Sequence, residues 1–238
     1  VFTDCDIEIE RLISRTFALG VKLINEKELE FGSAILDLGS EKISFGIFKN
    51  LALVHSITFP IGINHITKDI SKVCSLNLNE SENIRNNIDF LFQNNQIIFD
   101  ESDYLKKIYF IDSSFRKISK NLILSVVKAR LDEIFDILKK QLIVPGFSLT
   151  SRINLLLVGG GSNLLNIEKC FTNFFGPNVK KVDKKNLQQD SNLKENFDSC
   201  LGAFEIIKDG WETEAIPGTA NQNIEKISFF DKIFKFNR

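Results

Sequence analysis

The sequence predicts an α/β domain, and three observations carry that prediction. The stretch "SAILDLGSEKISFGIFKNLALVHSITFP" (33–60) holds three apolar runs separated by turn residues, which reads as consecutive strands. The stretch "SKNLILSVVKARLDEIFDILKKQL" (119–142) spaces Leu122, Val126, Ile134, Phe135 and Leu138 three to four apart, with charge on the other side, which reads as a long amphipathic helix. Finally, "LLLVGGGSNLLNIEK" (155–169) runs from a buried strand at Leu155–Val158, through three glycines, into helical spacing from Leu164. Strands that alternate with helices in this order belong to a layered α/β architecture.

Taken in order, Ile9–Ile13 alternate as a short strand, and a helix follows to about Ile24. "NEKELEFG" reads as a charged loop. "SAILDLGS" and "KISFGIFKN" form a hairpin with Gly39–Lys42 at its turn, and "LALVHSITFP" is a third strand. "NHITKDISKVC" is a helix capped by Asn64, with Thr67, Asp69 and Ser71 on its polar face. "NESENIRNNIDFLF" is a second, Asn-rich helix. Residues 93–118 read as a small β-rich insertion, 170–200 include a charged segment, and "FDSCLGAFEII" is a short helix. A polar linker, "TEAIPGTANQN", precedes the C-terminal tail.

Composition narrows the function. The chain has 238 residues, a net charge of −1, 43% hydrophobic and 26% charged residues, which suits a soluble globular protein with a real core. Nucleic-acid binding relies on an excess of Lys and Arg that is absent here. Cys5, Cys74, Cys170 and Cys200 form no CxxC pair, and His55 and His65 are the only histidines, so no metal site is expected and a reducing compartment fits. No apolar run approaches the ~20 residues that span a bilayer, and no signal peptide opens the chain. The chain begins at Val1 and carries no methionine, so it reads as a fragment of a longer protein. No catalytic set is expected, since the two histidines have no evident nucleophile beside them.

Taken alone, the glycines at 159–161 fit two structures. They could form a plain strand-to-helix turn, or a loop that lets a phosphate approach the backbone. The Walker A lysine and the full Rossmann spacing are both absent.

Four stretches in series settle on a resemblance. "AILDLGSEKISFGIF" resembles the second phosphate motif of actin-like ATPases, and "LLLVGGGSNLLNIEK" resembles their adenosine motif. "FPIGINHITKDIS" and "VVKARLDEIFDIL" are similar to the FtsA family of bacterial cell-division proteins, over roughly residues 8–210. The resemblance implies an actin-like (ribonuclease H-like) ATPase lobe with a small inserted subdomain and a C-terminal amphipathic helix. Residues 1–30 would end a first lobe and its connecting helix. Residues 31–76 and 119–212 would form the second lobe, 77–118 the inserted subdomain, 213–223 a linker and 224–238 the helix.

The resemblance also implies roles. Asp37, Gly39 and Ser40 would lie under the phosphates of ATP and its Mg²⁺, Glu82 and Arg85 would flank the adenosine, and Gly159, Gly160, Gly161 and Ser162 would pass beneath the nucleotide. Without the resemblance, Glu82 and Arg85 read equally as a solvated i,i+3 ion pair. Arg116, Lys120 and Arg130 would receive the FtsZ C-terminal tail or support self-association into protofilaments. One departure weakens the expected ATP site: the family usually reads Asp-Ile-Gly-Gly-Gly-Thr where this chain reads Asp37-Leu38-Gly39-Ser40-Glu41-Lys42. Glu41 would repel phosphate, and Lys42 would offset part of that repulsion if it turned inward. Little or no ATPase activity is therefore expected.

The tail, "IEKISFFDKIFKFNR", has its own logic. At about 100° per residue, Ile227, Phe229, Phe230, Ile233, Phe234 and Phe236 share one half of a helix. Residues 224–238 carry four Lys/Arg against two Asp/Glu. That pattern suits a helix lying on an anionic membrane. The expected protein is thus an adaptor that tethers FtsZ filaments and other division proteins to the cytoplasmic face of the membrane at the septum. Two other readings are the ATP-binding half of a sugar or acetate kinase and a PilM-like pilus assembly protein.

Overall fold

The computed structural model describes residues 3–9, 12–89, 92–93, 96–97, 103–111, 113–141, 153–182 and 197–208. The linker and tail, and therefore the whole expected membrane helix, lie outside the described residues, as does most of the expected charged segment before 197. Helices are α1 (Arg15–Leu23), α2 (Glu26–Phe31), α3 (Asn64–Cys74), α4 (Leu78–Asn87), α5 (Lys120–Gln141), α6 (Ile167–Phe175) and α7 (Asp198–Lys208). Strands are β1 (Ser33–Leu38), β2 (Ile43–Lys49), β3 (Ala52–Phe59), β4 (Phe92–Gln93), β5 (Gln96–Ile97), β6 (Asn154–Val158) and β7 (Val179–Lys181). The main sheet has the order β3-β2-β1-β6-β7, and β4 pairs with β5 in a separate two-stranded sheet. β1 is buried at all its positions, as a central strand covered on both faces should be.

The chain divides into two compact units. The first comprises Val1–Ile35, Gly46–Ser56 and Asp183–Arg238. Here α1 packs on α7 so closely that a Cβ on Gly202 would lie 1.9 Å from the Ala18 carbonyl oxygen. Ala18 and Ile206 form the buried centre, ringed by Phe17, Val21 and Ala203. Lys22 Nζ donates to Glu205 Oε1 at 2.6 Å across the same pair of helices.

The second unit comprises Leu36–Phe45 and Ile57–Val182. β6 and β7 run parallel, with Leu155 opposite Val179 and Leu157 opposite Lys181. Ile66, Ile70, Ile84, Ile123, Leu124 and Val127 are fully buried. The Phe135 ring stacks on Phe174 at 4.4 Å and meets Phe171 edge-on at 4.9 Å, which joins α5 to α6.

Several expectations are corrected. The stretch 7–9 and 12–14 is not strand, and Ile7, Ile9 and Leu12 are exposed. Alternation needs a neighbouring strand to be useful, and no described strand pairs with them. "NEKELEFG" is helix α2, because Asn25 Oδ1 accepts from the Glu28 amide at 2.9 Å while Asn25 Nδ2 donates to the Glu28 carboxylate at 2.8 Å. That mutual pair is related to a capping box, and it outweighs the charge that suggested a loop. Asn64 is the first residue of α3, not its cap. Thr67 is buried rather than on a polar face. α5 turns Ile123, Leu124, Val127 and Leu131 inward and leaves Leu122 exposed. In "LILSVV" nearly every position is apolar, so spacing alone did not choose the face. α6 begins at Ile167, because a 3₁₀ turn over Gly160–Asn163 and a left-handed Asn166 (φ 57°) intervene after β6.

Candidate nucleotide site

Two turns of the second unit meet. β1 ends at Leu38 and the hairpin turn follows over Gly39–Lys42; β6 ends at Val158 and the glycines follow. Gly159 has φ +82°, and a Cβ there would lie 2.3 Å from Asp37 Oδ1 and 2.9 Å from the Leu38 carbonyl oxygen. A Cβ on Gly161 would lie 2.4 Å from Ile63 Cγ1 and 2.8 Å from Leu38 Cβ. Both glycines are therefore demanded by the close approach of the loop to the hairpin. Gly160 differs, since a Cβ there would meet nothing within 4 Å. The middle glycine faces open space; the buried carboxylate of Asp37 (4% exposed) lies against its neighbour Gly159.

Ser162 is buried, and its hydroxyl donates to the Gly159 carbonyl at 2.7 Å, which closes the turn on itself. Gly39 is bound to the hairpin geometry, with a would-be Cβ 2.5 Å from the Lys42 carbonyl oxygen. The turn's carbonyls also serve α3. Ile63 N donates to Gly39 O at 3.0 Å and Asn64 N to Ser40 O at 2.8 Å. These bonds satisfy amides at the helix start that otherwise lack partners.

Glu41 is exposed, and its partners lie on α3. Asn64 Nδ2 donates to its carboxylate at 2.6 Å and Lys68 Nζ approaches Oε2 to 3.1 Å. The hydrogen bond from Asn64, then that from Lys68, holds the carboxyl below its usual range. The countercharge is thus Lys68, one turn into α3.

Glu82 and Arg85 do form the i,i+3 pair, at 2.9 Å. Arg85 does more than that. It is buried, and Nη1 donates to Thr67 Oγ1 at 2.7 Å, while Nε and Nη2 donate to Asn86 Oδ1. Its side chain fastens α4 to α3. Sequence reasoning missed Glu80, which is wholly buried and accepts from the Ser113 amide at 3.0 Å and from the Ser113 hydroxyl. Its signal was an acid at the third position of a helix that Asn77 caps.

The expected partner residues are spread over three local contacts. Arg116 Nη2 donates to the Ser75 carbonyl at 2.7 Å, beyond the end of α3. Lys120 pairs with Asp103 at 2.8 Å. Arg130 grips Asp69 with two prongs, Nε to Oδ2 at 2.6 Å and Nη2 to Oδ1 at 2.9 Å, and also pairs with Glu133. The Asp69 bonds push its guanidinium further toward the charged form. Thr67, Lys68 and Asp69 are consecutive on α3, yet they tie it to α4, to the hairpin and to α5 respectively. Successive helical residues point about 100° apart, so one helix serves three neighbours.

Comparison with known proteins agrees with this architecture. The profile described as "Cell division protein FtsA" matches residues 34–196. The Cell division protein FtsA of Agrobacterium fabrum is 23% identical over 178 residues, which cover 73% of this chain and 39% of that protein. Its counterpart from Buchnera aphidicola of Acyrthosiphon pisum is 23% identical over 246 residues, covering 97% of this chain and 55% of that protein. The chain thus spans from about two fifths to just over half the length of these curated relatives. Among solved structures, MreB5 of Spiroplasma citri bound to AMPPNP aligns with a TM-score of 0.62 at 19% identity, covering 87% of this chain and 63% of that one. That likeness establishes an actin-like fold.

Proposed function

This chain belongs to the FtsA family of cell-division proteins, and from that premise we propose that it is part of an adaptor that tethers FtsZ filaments to the cytoplasmic membrane at the septum. Binding, and not turnover, is its task. The observation that carries the reading is the meeting of the β1–β2 turn with the glycine loop: Gly159 and Gly161 are spent on packing, and Gly160, between them, is left over and open.

The fit to a nucleotide rests on the chemistry of that edge. Gly160 allows a flat or charged group to come against the backbone, as side chains would not. Asp37, near the end of a buried strand, would hold Mg²⁺ through water. A bound ATP would supply phosphate charge for the metal and a purine for stacking over the loop. Gly39 and Ser40 would lie beneath the phosphates. Arg85 keeps α4 fastened to α3, so that its pair Glu82 would present a carboxylate at the adenosine end.

Membrane and partner binding follow from other parts of the chain. The six apolar residues from Ile227 to Phe236 would enter the lipid interface, with the tail's cations above them. Arg116, Lys120 and Arg130 are proposed to receive the acidic FtsZ tail, exchanging their present partners for its carboxylates. Actin-like protofilament formation would set many weak tails side by side and raise their joint affinity.

Flotation with liposomes containing anionic lipid, in the presence of FtsZ, tests the reading. The chain should float and bring FtsZ with it. Phe230→Glu with Phe234→Glu should leave both at the bottom of the gradient. Flotation of that double variant, or a chain that floats without FtsZ, contradicts the adaptor role.

A further inference from the structure

The hairpin presents a problem that its own sequence does not solve. An acid stands at the turn where the family has glycine, one residue from the backbone expected to meet phosphate. The turn itself is firmly held: the Ile63 and Asn64 amides donate to its carbonyls at Gly39 and Ser40, and Gly62 packs so tightly beneath that a Cβ there would lie 2.3 Å from Ser40 O. The carboxylate of Glu41 is instead drawn along α3, to Asn64 at 2.6 Å and to Lys68 at 3.1 and 3.5 Å. The start of α3 adds the positive end of the helix dipole on the same side.

We infer that Lys68, oriented through Glu41 and Asn64, is a positioning residue for phosphate at this site, supplying the positive charge that this chain needs because Glu41 occupies the turn. The inference rests on the nucleotide reading above. Three points support it. Lys68 neutralises the one carboxylate that the chain adds to the turn. Asn64 donates to the same carboxylate at 2.6 Å, which holds it against α3. And Lys68, nearly half exposed (44%), retains donors for an anion beside the pair. The site has thus exchanged a cradle of glycine amides for a side-chain pair. Its phosphate affinity should then depend on salt and on Lys68, where a cradle of backbone amides has no single cation to lose.

The test is a titration with fluorescent ATP and Mg²⁺ of the wild type and of Lys68→Gln, Lys68→Arg, Glu41→Gln and the Glu41→Gln/Lys68→Gln pair, with the urea midpoint of each measured without nucleotide. Lys68→Gln should weaken binding about tenfold at low salt, a change expected for one uncompensated charge at a partly exposed site. Lys68→Arg should restore it, and adding Glu41→Gln to Lys68→Gln should recover most of the loss. The midpoints should stay together, since an exposed pair contributes little to folding. Equal ATP affinity in wild type and Lys68→Gln, or a double variant no better than Lys68→Gln alone, overturns the role of Lys68 and leaves the nucleotide site standing. If none of the five chains binds ATP, the nucleotide reading fails and this inference fails with it.

Discussion

The two turns that meet at the site have been treated differently by the sequence. The glycine loop keeps Gly159, Gly160 and Gly161. The hairpin keeps Gly39 but replaces the next two family glycines with Ser40 and Glu41. Geometry explains which glycines stay. Gly39, Gly159 and Gly161 each abut backbone or a buried side chain within 2.9 Å of where a Cβ would stand. A residue kept by packing cannot be lost without moving a strand, whereas one kept only for a ligand can be exchanged for another way of holding it. Gly160 is the exception, a glycine in the loop with neither a positive φ nor a crowded Cβ, and it is the position where the nucleotide reading can be isolated from the folding requirement.

That contrast breaks first on stability. Gly159→Ala places a Cβ against Asp37 at a left-handed φ, and should cost about 2–4 kcal/mol in urea unfolding, from strain plus the clash. Ser40→Ala in the hairpin should stay within roughly 0.5 kcal/mol, and Glu41→Ala should leave the unfolding midpoint close to that of the wild type, as exposed substitutions do. Equal costs at both turns would mean that the close approach of the loops is not what fixes the glycines.

A second comparison sits on α3, where Lys68 faces the hairpin and Asp69 faces α5. Asp69→Ala removes a two-pronged, half-buried partner of Arg130 and should cost about 1–2 kcal/mol, while Lys68→Gln should be close to neutral for folding. Freed Arg130 should also bind an FtsZ tail peptide more tightly. Arg130→Glu should abolish that gain. Unchanged peptide affinity in Asp69→Ala would remove Arg130 from the interface.

The smallest effect concerns the helices behind each turn, which carry one thiol each: Cys74 ends α3 and Cys170 lies in α6. Burial raises both, Cys170 to about 11 from 9.0. At pH 8 both should therefore react slowly with a thiol reagent, Cys170 the more slowly, while exposed Cys5 and Cys200 react at once. The stability that Cys170 gains from staying protonated is present below pH 9.0 and lost as pH rises toward about 11. Fast labelling of Cys170 would show that α6 opens and that the glycine loop is less firmly backed than the hairpin.

How far the sequence could be read follows from the range of the forces involved. The hairpin, β3, α5, the β6–glycine turn and α7 were legible, because periodicity and turn residues are local signals. The mutual Asn25–Glu28 pair was legible in principle but was hidden beneath a run of charge. The orientation of α5 was not, since "LILSVV" offers two apolar faces and only packing against α3 selects one. The ties of the site were the least legible. Arg85 to Thr67, Lys68 to Glu41 and Arg130 to Asp69 join residues 18, 27 and 61 positions apart, and no spacing rule reaches that far. So the position of the two turns was legible, and the pairing of Glu41 with Lys68 across 27 residues was not.

The central claim is that Gly160 is the glycine kept for a ligand. Fluorescent ATP with Mg²⁺ should be titrated into the wild type and Gly160→Leu, alongside urea unfolding of both without nucleotide. Unfolding midpoints should agree within about 0.5 kcal/mol of stability, because the new side chain has space, while the wild type binds and Gly160→Leu does not. Equal binding by the two chains, or no binding by the wild type, would contradict that claim and return the three glycines to the role of a turn.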